Sequence, residues 1–365
     1  MSVLVIGGGP AGAVAAMLLA RGGVRTILVE QQRFPRDKVC GECLSATGIG
    51  VLDAIGLRQG IESAARPTLL RRTLLHPVDG GSLELSLPRP IWGITRSALD
   101  THLLNAAAGV RVLQPARCEA IRWASTGVVA TVRSLWNSAV EQIAVDQVIL
   151  ADGKAALLTP KPVATGDLGV QSHWQRVSGP NDAIELFGVE GHYGGIAPVN
   201  EGIWNVSFSV PASIVRRFAG DLDAMFGSFI AQNATLRDRL RPARRSGAWH
   251  ASPLPRFAVS HHWPAGVIPV GNAAAAVEPI GGEGMGLAMR SAQLAVEAIL
   301  DAHRSGRHVD TPALRRAYRG LWDARRLACR AIARVLSSPS LSTAAVALAD
   351  GSPALSRLAI RLIGK

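Results

Sequence analysis

The first thirty residues restrict the fold more than any other part of the chain. Residues 3–6, VLVI, are a run of apolar, β-favouring side chains, as in a strand buried on both faces. GGGPAG follows, with Gly7, Gly9 and Gly12 in the G-x-G-x-x-G spacing, then a helix-like run stopped by Gly22 and Gly23. RTILVE reads as a second strand ending in Glu30. Gly7 permits the tight turn, Gly9 lets the backbone approach a pyrophosphate, and Gly12 lets helix and strand pack closely. The helix start, with Pro10 and Ala11, offers the positive end of its dipole to phosphates. Glu30, eighteen residues after Gly12 and followed by Gln31, stands where a carboxylate accepts hydrogen bonds from an unphosphorylated ribose. A Gly-rich turn of structural use only would not explain the acid at the end of the second strand. The order of elements argues for FAD or NAD.

Composition narrows the class. At 365 residues, 48% hydrophobic and 18% charged, the chain can bury a sizeable core and is not disordered. Cys40, Cys43, Cys118 and Cys329 are too few and too scattered for a disulfide scaffold, so a reducing, cytoplasmic setting is expected. Cys40 and Cys43 stand in a Cys-x-x-Cys spacing, but no second pair completes a zinc site. His173, His192, His261 and His262 show no ligand spacing either, so no metal is expected and these histidines read as structural or surface residues. The apolar N-terminal run lacks a basic flank, and no 18-residue apolar stretch occurs.

The net charge of +12 is carried almost wholly by arginine, since lysine occurs only at 38, 154, 161 and 365. Such a surface suits a phosphate-bearing cofactor, an acidic protein partner or an anionic lipid surface. A plain Ala/Arg bias of the coding sequence is the alternative reading. Nothing in the sequence suggests a nucleic-acid partner.

Three further segments resemble a superfamily of FAD-dependent oxidoreductases. It contains aromatic-hydroxylase-like monooxygenases, geranylgeranyl reductases and flavin-dependent halogenases. They are RFPRDKVCGECLSATGIGVLDAIGL from Arg33, VILADG ending in Asp152-Gly153, and GVIPVGNAAAAVEPIGGEGMGLAM from Gly266. ITRSALDTHLLNAA is also similar to the family helix whose opening arginine, here Arg96, lies near FAD. The geranylgeranyl-reductase-like branch is the nearest. The resemblance implies a Rossmann-type α/β FAD-binding domain (1–164 and 258–310), an inserted antiparallel-sheet substrate domain (165–257) and a C-terminal helical region (311–365). It makes the PRDKVCGEC stretch one wall of the flavin pocket. Arg36 and Lys38 would meet phosphate or substrate charge there, Cys40 and Gly41 would lie near the ring edge, and Cys43 would face the core. Gly282, Gly284 and Met285 would present backbone N–H groups to the flavin. Asn272 stands where the family usually has an aspartate for the ribityl chain, which implies modestly weaker binding.

Residues 203–210 alternate, with Trp204, Val206, Phe208 and Val210 on one face. HYGGIAP is faintly similar to the family's Tyr-x-Trp-x-Phe-Pro element, with Gly195 and Ala197 in place of two aromatics. That implies a roomier pocket, or a substrate other than a prenyl chain, contacted by Tyr193 and Trp204. In the last region, Leu314, Tyr318, Leu321, Trp322, Leu327, Ala331 and Val335 recur at roughly helical spacing. This is either a helix packed on the first domain or one meeting a partner or membrane surface peripherally.

Only one G-x-G-x-x-G is present, so electrons come from NAD(P)H docking transiently or from a separate reductase. No two tryptophans stand two apart and no lysine lies between Val39 and Gly153, which argues against halogenation. An FAD monooxygenase is the first expectation, acting on a small molecule or on a carrier- or protein-tethered substrate. An alkene-saturating reductase of lipids is the second, and a maturation factor for a partner protein the third. Glu283 and Cys40 are the candidate catalytic groups, Glu283 being equally readable as a helix-start acid.

Overall fold

The computed structural model describes residues 1–350 and 352, except 80, 126, 155–156, 159–165, 256, 258 and 261–262. His261, His262 and most of the stretch after Asp350 therefore lie outside the described residues.

β1 (Ser2–Ile6) is buried along its length, and α1 (Pro10–Arg21) begins with proline in its first turn and stops at Gly22. β2 (Arg25–Val29) runs parallel to β1, from Ser2↔Arg25 to Ile6↔Val29. β3 (Cys43–Leu44), α2 (Ala46–Ala54) and α3 (Arg58–Ala65) lead to the antiparallel pair β4 (Thr68–His76) and β5 (Leu83–Gly93). α4 (Arg96–Asn105) and β6 (Arg111–Leu113) precede a meander of β7 (Ala116–Trp123), β8 (Val128–Ser134) and β9 (Val140–Val145). β10 (Gln147–Leu150) follows, then β11 (Asp167–Gln175), β12 (Ala183–Val189), β13 (His192–Asn200) and β14 (Ile203–Pro211). After α5 (Ala212–Arg217), α6 (Leu222–Gln232), α7 (Ala234–Leu240), β15 (Arg244–Arg245) and β16 (His250–Pro253) comes β17 (Val267–Pro269). α8 (Gly284–Arg304), α9 (Thr311–Leu336) and α10 (Pro339–Asp350) end the described chain.

The first sheet is wholly parallel, in the order β17-β10-β1-β2-β6. Its strands alternate between two buried faces. Val3, Val5, Ile149 and Ile268 pack with α1 and α8, and Leu4, Ile6, Val148 and Val267 pack under the β7–β9 meander. Burial on both faces is why these strands read as unbroken apolar runs.

The second sheet follows the order β15-β11-β14-β13-β12-β4-β5-β3, with β16 also on β11. It is not confined to residues 165–257, because β3, β4 and β5 come from the first hundred residues and β4 joins β12 in parallel. Between residues 111 and 151, β6 and β10 enter the parallel layer while β7–β9 form a sheet of their own. One face of the second sheet packs Trp204, Val206, Phe208 and Val210 against Phe226 and Phe229 of α6. The other carries Ile184, Leu186, Tyr193 and Ala197, against which α9 packs Cys329, Ala333 and Leu336.

α9 thus spans both layers, with Leu314, Tyr318 and Trp322 in the first core. Its buried stripe continues at Cys329 and Ala333, so Leu327 and Ala331 point outward, contrary to the stripe read from the sequence. The cause is register: steps of four from Leu314 lead to Tyr318 and Trp322, a step of seven to Cys329 and one of four to Ala333, while Leu327 falls on the opposite side. No single helix among the described residues is long and apolar enough to cross a membrane.

Candidate functional site

The glycine loop is packed too closely for any side chain at two of its positions. A Cβ on Gly12 would lie 1.8 Å from the carbonyl oxygen of Gly7, and one on Gly7 would lie 2.4 Å from that of Ala151, at a φ of +105°. Gly9 is open, with guanidinium nitrogens of Arg36 and Arg96 3.8 and 3.9 Å from its Cβ position. The N-terminus of α1 has no side-chain cap, so its first-turn N–H groups remain for a ligand. Glu30 is buried at the end of β2. Its Oε2 accepts from the Gly8 N–H (2.7 Å) and its Oε1 from the Gln32 N–H (2.7 Å). The carboxylate therefore fixes the loop, and each oxygen keeps a further acceptor position.

A cleft of about 1490 Å³ runs past Gly7, Glu30, Gln31, Arg36 and Asp152. It joins a smaller cavity of about 230 Å³ lined by Cys40, Gly41, Arg96, Tyr193, Gly282, Gly284 and Met285. Gly9, Lys38, Gly153, Lys154 and Asn272 border both spaces. Almost every residue expected at the cofactor thus borders one continuous groove between the two sheets. Gly12 is the exception, acting behind the loop.

The junction of cleft and cavity is strongly cationic. Arg96, buried at the start of α4, makes a bidentate pair with Asp100 (Nε–Oδ1 2.9 Å, Nη2–Oδ2 2.6 Å), and Arg36 Nη2 reaches the same Oδ2 at 3.2 Å. Lys154 donates to Ser252 Oγ (3.0 Å) and to the Pro253 carbonyl (2.8 Å). Burial, helped by Arg96 and Arg36, pushes the Lys38 ammonium down to about 8. Burial lowers Arg36 and Lys154 as well, and raises Asp152, whose Oδ2 accepts from the Leu157 N–H at 2.8 Å. Cations held this way are discharged most readily by a polyanion, so a pyrophosphate fits the junction.

A pH dependence follows. An anion binds protonated Lys38 and raises its pKa, so cofactor affinity is full below about pH 8 and declines as the pH passes it. Titrating apoprotein with FAD from about pH 7 to about pH 9, followed by flavin fluorescence, should show Kd rising across that span. A Lys38→Met variant should bind more weakly at neutral pH and lose the trend.

Two expectations are corrected. Glu283 is fully buried but turns away from the cavity toward α9, where Arg325 Nε lies 3.9 Å from its Oε2. This contact links α8 to α9, and Glu283 is not among the residues lining the cavity. Trp204 sits on the far face of the second sheet, in the core under α6, with Arg239 over its ring. Its neighbours Asn205 and Ser207 face the cavity instead. The Gly282 N–H donates to the Pro279 carbonyl (2.9 Å) and is already engaged. The first turn of α8, with Gly284 and Met285 on the cavity and no side-chain cap, supplies the free donors.

Cys43 is buried against Ala46 and Leu70, its thiol donates to the Gly41 carbonyl at 3.3 Å, and it borders the cavity together with Cys40. Tyr193, Gly195 and Ala197 all face the cavity from β13, so the two small residues leave open space beside the tyrosine.

Two residues escaped the sequence reading. Glu42, in a left-handed conformation (φ +54°), is almost wholly buried. Its Oε1 accepts from the Arg96 N–H (2.7 Å), and its Oε2 is bonded by Asn205 Nδ2 (2.9 Å) and His173 Nε2 (2.7 Å). That carboxylate holds the His173 imidazole above its usual pKa. Glu278 accepts from the Tyr193 hydroxyl at 2.8 Å, and burial raises both groups. A glutamate in the Cys-Gly-Glu-Cys run, and one beside the glycine turn, were the only signals.

Residues 1–161 match the FAD-binding domain family. Over 99% of its length the chain is 28% identical to menaquinone reductase of Mycobacterium tuberculosis, covering 90% of that protein. It is 27% identical to kynurenine 3-monooxygenase of Stenotrophomonas maltophilia, over 82% of the chain and 72% of that enzyme. The fold superposes on a geranylgeranyl bacteriochlorophyll reductase-like protein of Thermoplasma acidophilum with a TM-score of 0.80. The identity there is 19%, with 100% of this chain and 96% of that one covered. At that identity the likeness concerns the fold alone.

Proposed function

We propose that this chain, an FAD-dependent oxidoreductase whose residues 1–161 belong to the FAD-binding domain family, saturates an alkene in an apolar lipid of the prenylated-quinone class. The observation that carries the reading is the Tyr193–Glu278 pair, a buried, hydrogen-bonded proton source set in apolar walls. Val39, Val170, Ile184, Leu186 and Ile196 line the same cavity and fit a hydrocarbon chain. Menaquinone reductase, similar along nearly the whole chain, supports the substrate class.

When bound, FAD supplies the hydride. Glu30, the glycine loop, Arg36, Lys38 and Arg96 would hold its adenosine and pyrophosphate side, and Asn272 with the start of α8 its flavin side. The chain's own part is protonic. The Tyr193 hydroxyl gives its proton to the second alkene carbon as one C–H bond forms at each carbon. Glu278, whose neutral form burial favours, returns a proton to the phenolate and is reprotonated from solvent after the step. Burial keeps the tyrosine protonated until that step. The apolar walls keep water from competing as proton donor at the reacting carbons.

The test is product mass after anaerobic incubation of the FAD-loaded, chemically reduced protein with a prenylated quinone in detergent. A product that has gained two hydrogens and keeps them after exposure to air is expected. A quinol that reverts to quinone in air would assign reduction to the ring and sink the alkene reading. Hydroxylation is the second reading, favoured by the similarity to kynurenine 3-monooxygenase. It predicts a product gaining one oxygen, formed only in air with NAD(P)H or a reductase as electron source.

A further inference from the structure

Among the described residues nothing covers the outer faces of α9 and α10, which present basic and apolar side chains. On α9, Arg316, Arg319, Arg330 and Arg334 are exposed, together with Leu327, which is 68% accessible. Arg325 and Arg326 approach Glu283 and Asp323, but those four make no ion pair among the described residues. On α10 the inward face is Ser342 and Val346, while Leu341 (55%), Ala344, Ala347 and Leu348 (66%) point outward at helical spacing. Residues 311–365 contain nine arginines and one lysine against two aspartates, so eight of the chain's twelve net positive charges fall in its last 55 residues. A general arginine bias does not account for that concentration.

The position of the pair matters as much as its composition. The inner face of α9 packs Cys329, Ala333 and Leu336 against the sheet face that carries Leu186, Tyr193 and Ala197, the wall of the cavity. α10 leaves α9 at a bend of 111° and lays Val346 on Leu83 and Leu85 of β5. One side of the helix pair therefore backs the substrate cavity while the other carries exposed leucines beside unpaired arginines.

We infer that α9 and α10 dock the protein onto the surface of an anionic lipid bilayer. The leucines of α10 enter the headgroup boundary and the arginines of α9 pair with lipid phosphates. The occupant follows from charge: a surface this basic, with apolar residues interspersed, matches an interface that is both anionic and apolar. The inference deepens the lipid-reductase reading and rests on it for its purpose, since a substrate dissolved in the bilayer would be met at the cavity's outer wall. It can still be tested separately.

The full-length FAD-loaded protein is sedimented with vesicles of phosphatidylcholine alone or mixed with phosphatidylglycerol. Partitioning onto the mixed vesicles should be about ten-fold or more stronger, and should fall with salt. An R316E/R319E/R334E variant should lose about ten-fold or more on the mixed vesicles. An L341S/L348S variant should bind less tightly at every salt concentration. Both should keep the wild-type melting temperature and wild-type turnover of detergent-dispersed substrate. Equal binding to both vesicle types, no binding to either, or variants that bind like wild type would overturn the inference. So would a concentration-dependent dimer abolished by L341S/L348S in protein that ignores vesicles, since a second copy would then cover α10. Vesicle binding without turnover of detergent-dispersed lipid would instead condemn the reductase reading and leave the docking intact.

Discussion

Gly12→Val should be purified without its yellow colour. The added Cβ would lie 1.8 Å from the Gly7 carbonyl oxygen and 3.1 Å from the Ala151 side chain. Neither neighbour can yield, because Gly7 is itself wedged against the Ala151 backbone and α1 is packed between the sheet and α8. The helix must move off β1, carrying its first-turn N–H groups away from the place where a pyrophosphate would sit. Overpacking of this kind costs about 1–3 kcal/mol. Because it falls on the loop that forms the cradle, FAD affinity should drop by about ten- to a hundred-fold. The measurement is the absorbance ratio of flavin to protein after gel filtration, with far-ultraviolet circular dichroism as the check on folding. Gly60→Ala, at a helical position where a Cβ meets nothing within 4 Å, should stay fully yellow. A yellow Gly12→Val protein with unchanged Kd would show that the close approach of loop and helix is not needed for the cofactor.

Tyr193→Phe should retain FAD and lose turnover. The ring remains in its apolar setting and only the hydroxyl, 2.8 Å from Glu278, is removed. Loss of a positioned proton donor lowers a rate by about 10²–10⁴-fold. The fall should appear in kcat with KM little changed, since the hydrocarbon contacts survive. Glu278→Gln should cost less, because the phenol remains and a glutamine amide can still hold it in place. That variant should also remove the fall in rate that the wild type shows as rising pH takes the proton from the Glu278 carboxyl. Cys40→Ser, altering the other candidate donor at the cavity, should leave the rate near wild type. If Cys40→Ser and not Tyr193→Phe abolished turnover, the proton would come from the thiol.

The two halves of the site differed in legibility. Everything that binds the dinucleotide end is a local pattern. The glycine spacing, the apolar strands and the closing acid fall within thirty residues, and each is demanded by backbone geometry alone. The cavity is assembled from β11, β13 and β14, the turn before α8, and a loop in the first fifty residues. Which side chain faces inward there depends on strand register. Trp204 and Asn205 exchange roles under a one-residue shift, and alternation shows only that two faces exist, not which one meets the cofactor. Glu283 misled for a similar reason: a helix-start acid can turn toward the ligand or toward a neighbouring helix, and α9 was not yet in place to decide. The second sheet outgrew its expected limits because β5 contains Pro88 and Pro90, residues that normally weigh against a strand.

Glu42 bears on how the molecule comes apart. One carboxylate is bonded by the backbone at the start of α4, by a side chain of β14 and by the histidine of β11. If Glu42 stayed with the cofactor layer, separating the second sheet would strip this buried acid of two donors at once, and β3 would have to leave β5. The groove between the layers is thus also a seam that resists opening. The two layers should therefore melt together in a single cooperative calorimetric transition, despite belonging to different sheets.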